Sequence, residues 1–294
     1  MRNESPLLTW FSNISLFIFS AFCLMPFVLL ISASFTDQNS IVANGYSFIP
    51  KNFSTAAYEY LFLRGADILR AYGVTIFVTV FGTIAGLAIT LLMAYPLARQ
   101  ETPHRNLILF FIFFAMLFSG GMIPTYLIYA QIFELKNTIW ALIIPGLLTN
   151  GYYIMMMRIF MQGSMSKELI ESAGLDGANE YRILWSIVIP TSTPILAVIG
   201  LFSSIMYWND WQNGMIYITN PKLFSVQNLL QRIMQDISFI TANMSSQAGE
   251  AMQQMPSDTA KMAIAVIGSL PILLAYPFFQ KFFIKGIMFG AVKG

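Results

Sequence analysis

Charge is scarce in this sequence. Asp, Glu, Lys and Arg supply 10% of its 294 residues, against about 25% in an ordinary soluble domain. So little charge cannot cover a water-facing surface, and 56% of the residues are hydrophobic. The apolar excess points to lipid. The formal net charge is only +2, which gives no basis for binding nucleic acid. A single cysteine, Cys23, rules out a disulfide within the chain. A single histidine, His104, sits in a basic loop, with no metal-ligand cluster and no nucleophile–base pair in the sequence. That excludes the usual constellations of an intramembrane enzyme. No Gly-Lys-Ser or Gly-Lys-Thr occurs, so the chain has no phosphate-cradling P-loop. Away from their ends, the apolar runs hold no Asp, Glu, Lys, Arg or His. Ion-coupled carriers usually need such groups inside the membrane.

What is present is a series of apolar runs, near 10–35, 71–98, 106–131, 138–161, 191–212 and 260–284. Each is long enough to cross a bilayer, which takes about 20 helical residues. The runs are continuous rather than alternating, and backbone groups in lipid must pair internally, so helices follow. The expectation is an all-α, six-span polytopic membrane protein forming one transmembrane domain over 1–294. The first run exceeds a signal-peptide core of about 15 residues and reads as a retained span. The short loop Arg99–Arg105 and the tail lysines Lys281, Lys285 and Lys293 favour both termini inside. Loops near 36–70 and 213–259 then lie outside. In the second, Leu229, Leu230, Ile233, Met234 and Ile237 recur at helical spacing, predicting a short amphipathic helix that serves as a lid or a docking surface. Gly82 and Gly86 form a small-xxx-small pair, for close packing within this chain or against a second one.

The largest inside segment, 162–190, reads as two short helices with a break. Ser166 can cap the first, with Glu168 in its opening turn. Asp176-Gly177 is a turn signal, and glycine accepts the left-handed geometry that ends a helix. Asn179 can cap the second helix, and Pro190 stands where the chain re-enters the membrane. The result is a stiff elbow, able to transmit a push.

This segment resembles the EAA loop of binding-protein-dependent ABC import permeases. That pattern is Glu-Ala-Ala, three residues, Gly, nine residues, then Ile-x-Leu-Pro. Here it reads Glu171-Ser172-Ala173, three residues, Gly177, nine residues, Ile187-Val188-Ile189-Pro190. Ser172 and Ile189 are mild departures. The resemblance implies a coupling helix that docks in a cleft of a separate ATPase, with Glu171, Ser172, Ala173, Gly177, Ile187 and Pro190 as the coupling residues. It also implies two ATPase subunits holding ATP and Mg, with no cofactor in this chain. A second homologous permease in a heterodimer, an extracytoplasmic solute-binding protein and a bacterial cytoplasmic membrane complete the expected setting. The six-span layout, the stretch Ala260–Leu273 and the tail Lys281–Gly294 look like carbohydrate importers related to the maltose permeases. Within those, the resemblance is to permeases for oligosaccharides such as aldouronates and alginate fragments.

Sugars are held by aromatic faces and by amide or carboxylate hydrogen bonds. Two clusters have that chemistry: Asn150, Tyr152 and Tyr153 in the fourth run, and Tyr207, Trp208, Asn209, Asp210 and Trp211 at the outer end of the fifth. Both are candidates for a substrate path, although Trp and Tyr also mark membrane interfaces. The alternatives are an ABC permease for a non-sugar solute and an ion-coupled secondary transporter.

Overall fold

The computed structural model describes residues 6–63, 65–165, 167–243 and 257–290. The fold is all-α: among these residues no strand forms beyond one antiparallel bridge between Thr36 and Phe53. The chain divides into two compact units, Met1–Ile68 with Leu230–Pro271, and Leu69–Leu229 with Ile272–Gly294.

The first unit opens with α1 (Pro6–Ser34). Trp10, Phe11, Leu16 and Phe19 are all exposed, and at 100° per residue they point to different sides of the helix. A helix that is apolar all round belongs in lipid. Immediately after it the chain tightens. The Ser34 and Tyr58 hydroxyls bond at 2.9 Å, and Phe35 stacks on Phe53 and Tyr58. Asp37 caps the short α2 (Gln38–Asn44), and α3 (Ala56–Phe62) follows. The Gln38 Oε1 accepts from the Asp258 and Thr259 amides at 3.0 and 3.2 Å. These are orphan donors at the start of the last helix, α14 (Ser257–Gly290), which contains the run expected at 260–284. The amphipathic helix expected in the long second loop is α13 (Val226–Asn243). Its Leu229, Leu230, Ile233 and Ile237 are buried, so that face is already covered by the chain.

The second unit is built on α4 (Gly65–Ala98), 34 residues and about 51 Å long. Gly82 and Gly86 serve packing within the chain. A Cβ at Gly82 would stand 2.4 Å from the Tyr207 ring, and one at Gly86 would stand 3.3 Å from the Leu148 carbonyl oxygen.

Two of the expected spans are not single helices. The run at 106–131 breaks into α5 (Arg105–Leu117) and α6 (Met122–Leu127), the latter continued by a π turn to Ile132, with a bend of 114°. The cause is local. Gly121 takes φ +85°, its amide donates to Ser119 Oγ, and Pro124 sits where no helical amide is needed. The run at 138–161 is a 3₁₀ turn (Ile139–Leu142), a non-helical stretch through Gly146 at φ +71°, and then α7 (Gly151–Ser164). Its 14 helical residues reach about 21 Å, short of the roughly 30 Å hydrocarbon layer. Ala141, Leu142 and Ile143 are apolar because they are buried core, not because they continue a span. The fifth run holds α11 (Thr193–Asn209), which meets the preceding helical segment at 75° and is followed by the short α12 (Gln212–Tyr217).

Candidate functional site

The expected elbow consists of α8 (Lys167–Leu175), α9 (Glu180–Ile183), a π turn (Leu184–Val188) and α10 (Ile189–Thr191). Its break is a Schellman closure. Gly177 stands at φ +79°, its amide donates to the Gly174 carbonyl, and the Ala178 amide donates to the Ala173 carbonyl, both at 3.0 Å. Asn179 Oδ1 then accepts from the Arg182 amide at 2.8 Å and starts α9. The break is thus held by backbone and cap bonds on both sides. The cap expected from Ser166 lies outside the described residues.

The elbow is fastened to the rest of its unit in two ways. Ile183, Leu184 and Val188 are buried in a core with Leu91, Ala94, Leu97, Met157, Met161 and Ile199. Ile170, Ala173, Ala178 and Ile187 pack against that core from the side. The second fastening is polar. Glu180 Oε1 accepts from Arg99 Nη1 at 2.6 Å, and Glu180 Oε2 accepts from Tyr95 Oη at 2.7 Å. The Arg99 guanidinium also lies over the Tyr95 ring and donates to its hydroxyl at 3.3 Å. Glu180 stands outside the apolar run that follows it, and the bonds from Tyr95 and Arg99 hold its carboxyl below the usual glutamate range.

The same corner satisfies the C-terminal carbonyls of α4. Thr102 Oγ1 donates to the Pro96 carbonyl, Arg158 Nε to that of Leu97 and Gln162 Nε2 to that of Ala98, at 2.6, 3.0 and 3.3 Å. Cationic and amide donors at a helix C-terminus complement its orphan carbonyls. The end of α4, the last turns of α7 and the elbow therefore form one bonded junction. Leu175, Tyr181 and Trp185 on the elbow are 90%, 77% and 69% exposed. Glu171, Ser172, Gly177 and Pro190 are also exposed, while Ala173 and Ile187 are half-buried. An exposed apolar set of this kind marks a contact with protein or with membrane.

The substrate-path candidates separate by burial. Tyr153, Tyr207 and Trp208 are buried. Tyr153 Oη reaches Met206 Sδ at 3.0 Å, Tyr207 Oη donates to the Ile143 carbonyl at 3.0 Å, and Trp208 lies against Tyr72. Asn150 caps α7 by accepting from the Tyr152 amide, and Asp210 accepts from the Asn213 amide. Tyr152, Asn209 and Trp211 are exposed. Sequence reasoning counted Arg99 only as a positive loop charge. It missed Tyr95 and Gln162 and the pairings of Glu180 and Arg158, because these span 61 to 85 residues and no short motif marks them.

Residues 86–288 match the family described as binding-protein-dependent transport system inner membrane component. The chain belongs to this family. It is the permease component of an ABC transporter, a multi-pass inner membrane protein without an ATPase site of its own. Protein LplC of Bacillus subtilis is 38% identical over 276 residues, covering 93% of this permease and 90% of that protein. The polygalacturonan/rhamnogalacturonan transport system permease protein YtcP of the same organism is 38% identical over 280 residues, covering 95% and 96%. Among solved structures, one described as a bacterial ABC transporter involved in the import of the acidic polysaccharide alginate superposes with a TM-score of 0.76. It is 27% identical and covers 96% of this permease and 99% of that chain. Membership removes the ion-coupled alternative and implies ATPase and solute-binding partners.

Proposed function

We propose that this permease imports an oligosaccharide, preferentially an acidic one of the uronic-acid type, by alternating access driven at the elbow. The observation that carries the mechanical part is the elbow itself, a Schellman-closed bend whose outer surface offers Leu175, Tyr181 and Trp185. One of two ATPase subunits that bind ATP and Mg docks there, with Glu171, Ser172, Ala173 and Gly177 at the contact, while Ile187 and Pro190 pass the movement into α11. In this reading the elbow and both termini face the cytoplasm. A second, related permease supplies the other wall of the path, and a solute-binding protein delivers the cargo from outside. The acidic-sugar preference is supported by the YtcP and alginate-importer likenesses. Tyr152, Asn209 and Trp211 remain open to a sugar. Asn150 caps the turn that carries Tyr152, while Tyr153, Tyr207, Trp208 and Asp210 are engaged within the fold.

The test is reconstitution of the complete transporter in proteoliposomes, with its binding protein outside the lumen and labelled oligogalacturonides or alginate oligosaccharides as cargo. The expected result is ATP-dependent uptake that Gly177→Asp abolishes, because it places a negative charge in the docking contact. Uptake of a non-sugar solute to the exclusion of both oligosaccharides would overturn the cargo assignment. Uptake that ignores ATP would overturn the mechanism.

A further inference from the structure

The elbow is joined covalently to α7 on one side and, through α10 and Ser192, to α11 on the other, and the second join bends by 75°. A bent join leaves the angle of the elbow against α4 to be fixed by side chains. The Glu180 contacts supply a polar tie to α4 beside the apolar core. Glu180 is the first residue of α9, and both of its carboxylate oxygens are occupied, one by Arg99 and one by Tyr95. Tyr95 is buried in the core on α4, and Arg99 is the residue directly after that helix. Short charge-assisted bonds to two donors in different directions fix an angle as well as a distance. The Glu180 and Arg99 side chains are 61% and 26% exposed, so the ion pair adds little to folding. Burial of Ile183, Leu184 and Val188 already secures the elbow. What the triad adds is registry between α9 and the end of α4.

We propose, resting on the coupling role assigned above, that Tyr95, Arg99 and Glu180 are positioning residues that make α4 move with the elbow when the ATPases close. Without them the elbow still docks and ATP is still hydrolysed, but α4 follows through the apolar core alone and much of the stroke is lost.

The test uses the whole transporter in proteoliposomes and reads two quantities at once, ATP hydrolysed and labelled oligosaccharide taken up. Glu180→Ala and Arg99→Ala are expected to retain the bound ATPases and most of the hydrolysis while uptake per ATP falls by about fivefold or more. Tyr95→Phe, which removes one bond, is expected to lose less. The exchanged pair Arg99→Glu with Glu180→Arg is expected to recover much of the ratio, which a merely structural role would not predict. An unchanged ratio in both alanine variants overturns the proposal. So does loss of the ATPases from the purified complex, or an exchanged pair no better than the single variants. A wild-type transporter with no ATP-driven uptake would instead overturn the function on which the proposal rests, whereas wild-type uptake with insensitive variants overturns only the triad's role.

Discussion

At the residue scale, two glycines make opposite demands. A Cβ added at Gly177 would meet nothing within 4 Å, yet the backbone there stands at φ +79°. The penalty at this site is therefore conformational, about 1–2 kcal/mol for an ordinary L-residue in left-handed geometry. Gly177→Ala is expected to loosen the elbow and reduce uptake, with Gly177→Asn milder because asparagine tolerates that region. ATPase co-purification and uptake, compared between the two variants, check this. Gly82 is the reverse case, with ordinary helical backbone and the Tyr207 ring 2.4 Å from where a Cβ would stand. Gly82→Ala must displace a buried ring whose hydroxyl bonds Ile143. A cost of about 1–3 kcal/mol is expected from such overpacking, visible as a lower melting temperature in detergent. Gly73→Ala on the same helix, where a Cβ meets nothing within 4 Å, is the neutral control. The Glu180 carboxylate belongs to this scale too. Its pKa in the fold lies below the unfolded value, so the triad contributes fully above the ordinary glutamate range and is lost only as pH falls through the lowered value. Carboxyl NMR of labelled protein is expected to show Glu180 titrating below its reference range, and returning toward it in Arg99→Ala.

At the element scale, Asn150 decides between two readings of one residue. As a helix cap, its replacement by alanine costs about 1 kcal/mol, while Asn150→Asp keeps an oxygen for the Tyr152 amide. As a sugar ligand, it would lose transport in both variants. The expected outcome is lower thermal stability and reduced uptake for Asn150→Ala, with near-normal behaviour for Asn150→Asp. The elbow was legible because its instructions are local. Asn179 caps and Gly177 turns within a few residues of where the sequence places them. The runs at 106–131 and 138–161 misled for a physical reason. Hydropathy does not distinguish residues facing lipid from residues facing the core, and both runs stay apolar across their breaks. The breaks were nevertheless marked, by Ser119-Gly120-Gly121 and by Pro145-Gly146, punctuation that carries more weight than continuity of hydropathy. The Arg99–Glu180 pairing was not legible at all, since nothing local to either residue names the other.

At the scale of the whole molecule, the question is which surfaces meet lipid and which meet protein or water. α4 is partly buried, and α14 is partly buried over Ser257–Leu274, whereas the most apolar stretch of α1 has no buried residue. If that bare helix lined an aqueous path, its exposed Phe17, Phe19 and Phe22 would face water at a cost of roughly 1.5–3 kcal/mol each. Lipid is therefore its solvent, and Cys23, exposed on the same helix, reports on it. In intact membranes Cys23 is expected to react with a lipid-soluble maleimide and to resist a charged methanethiosulfonate reagent, which reaches only thiols open to water. Cys23→Ser is expected to leave uptake unchanged. Labelling by the charged reagent during ATP-driven turnover would instead place α1 along the path of the cargo, and the assignment of its exposed face to lipid would fail.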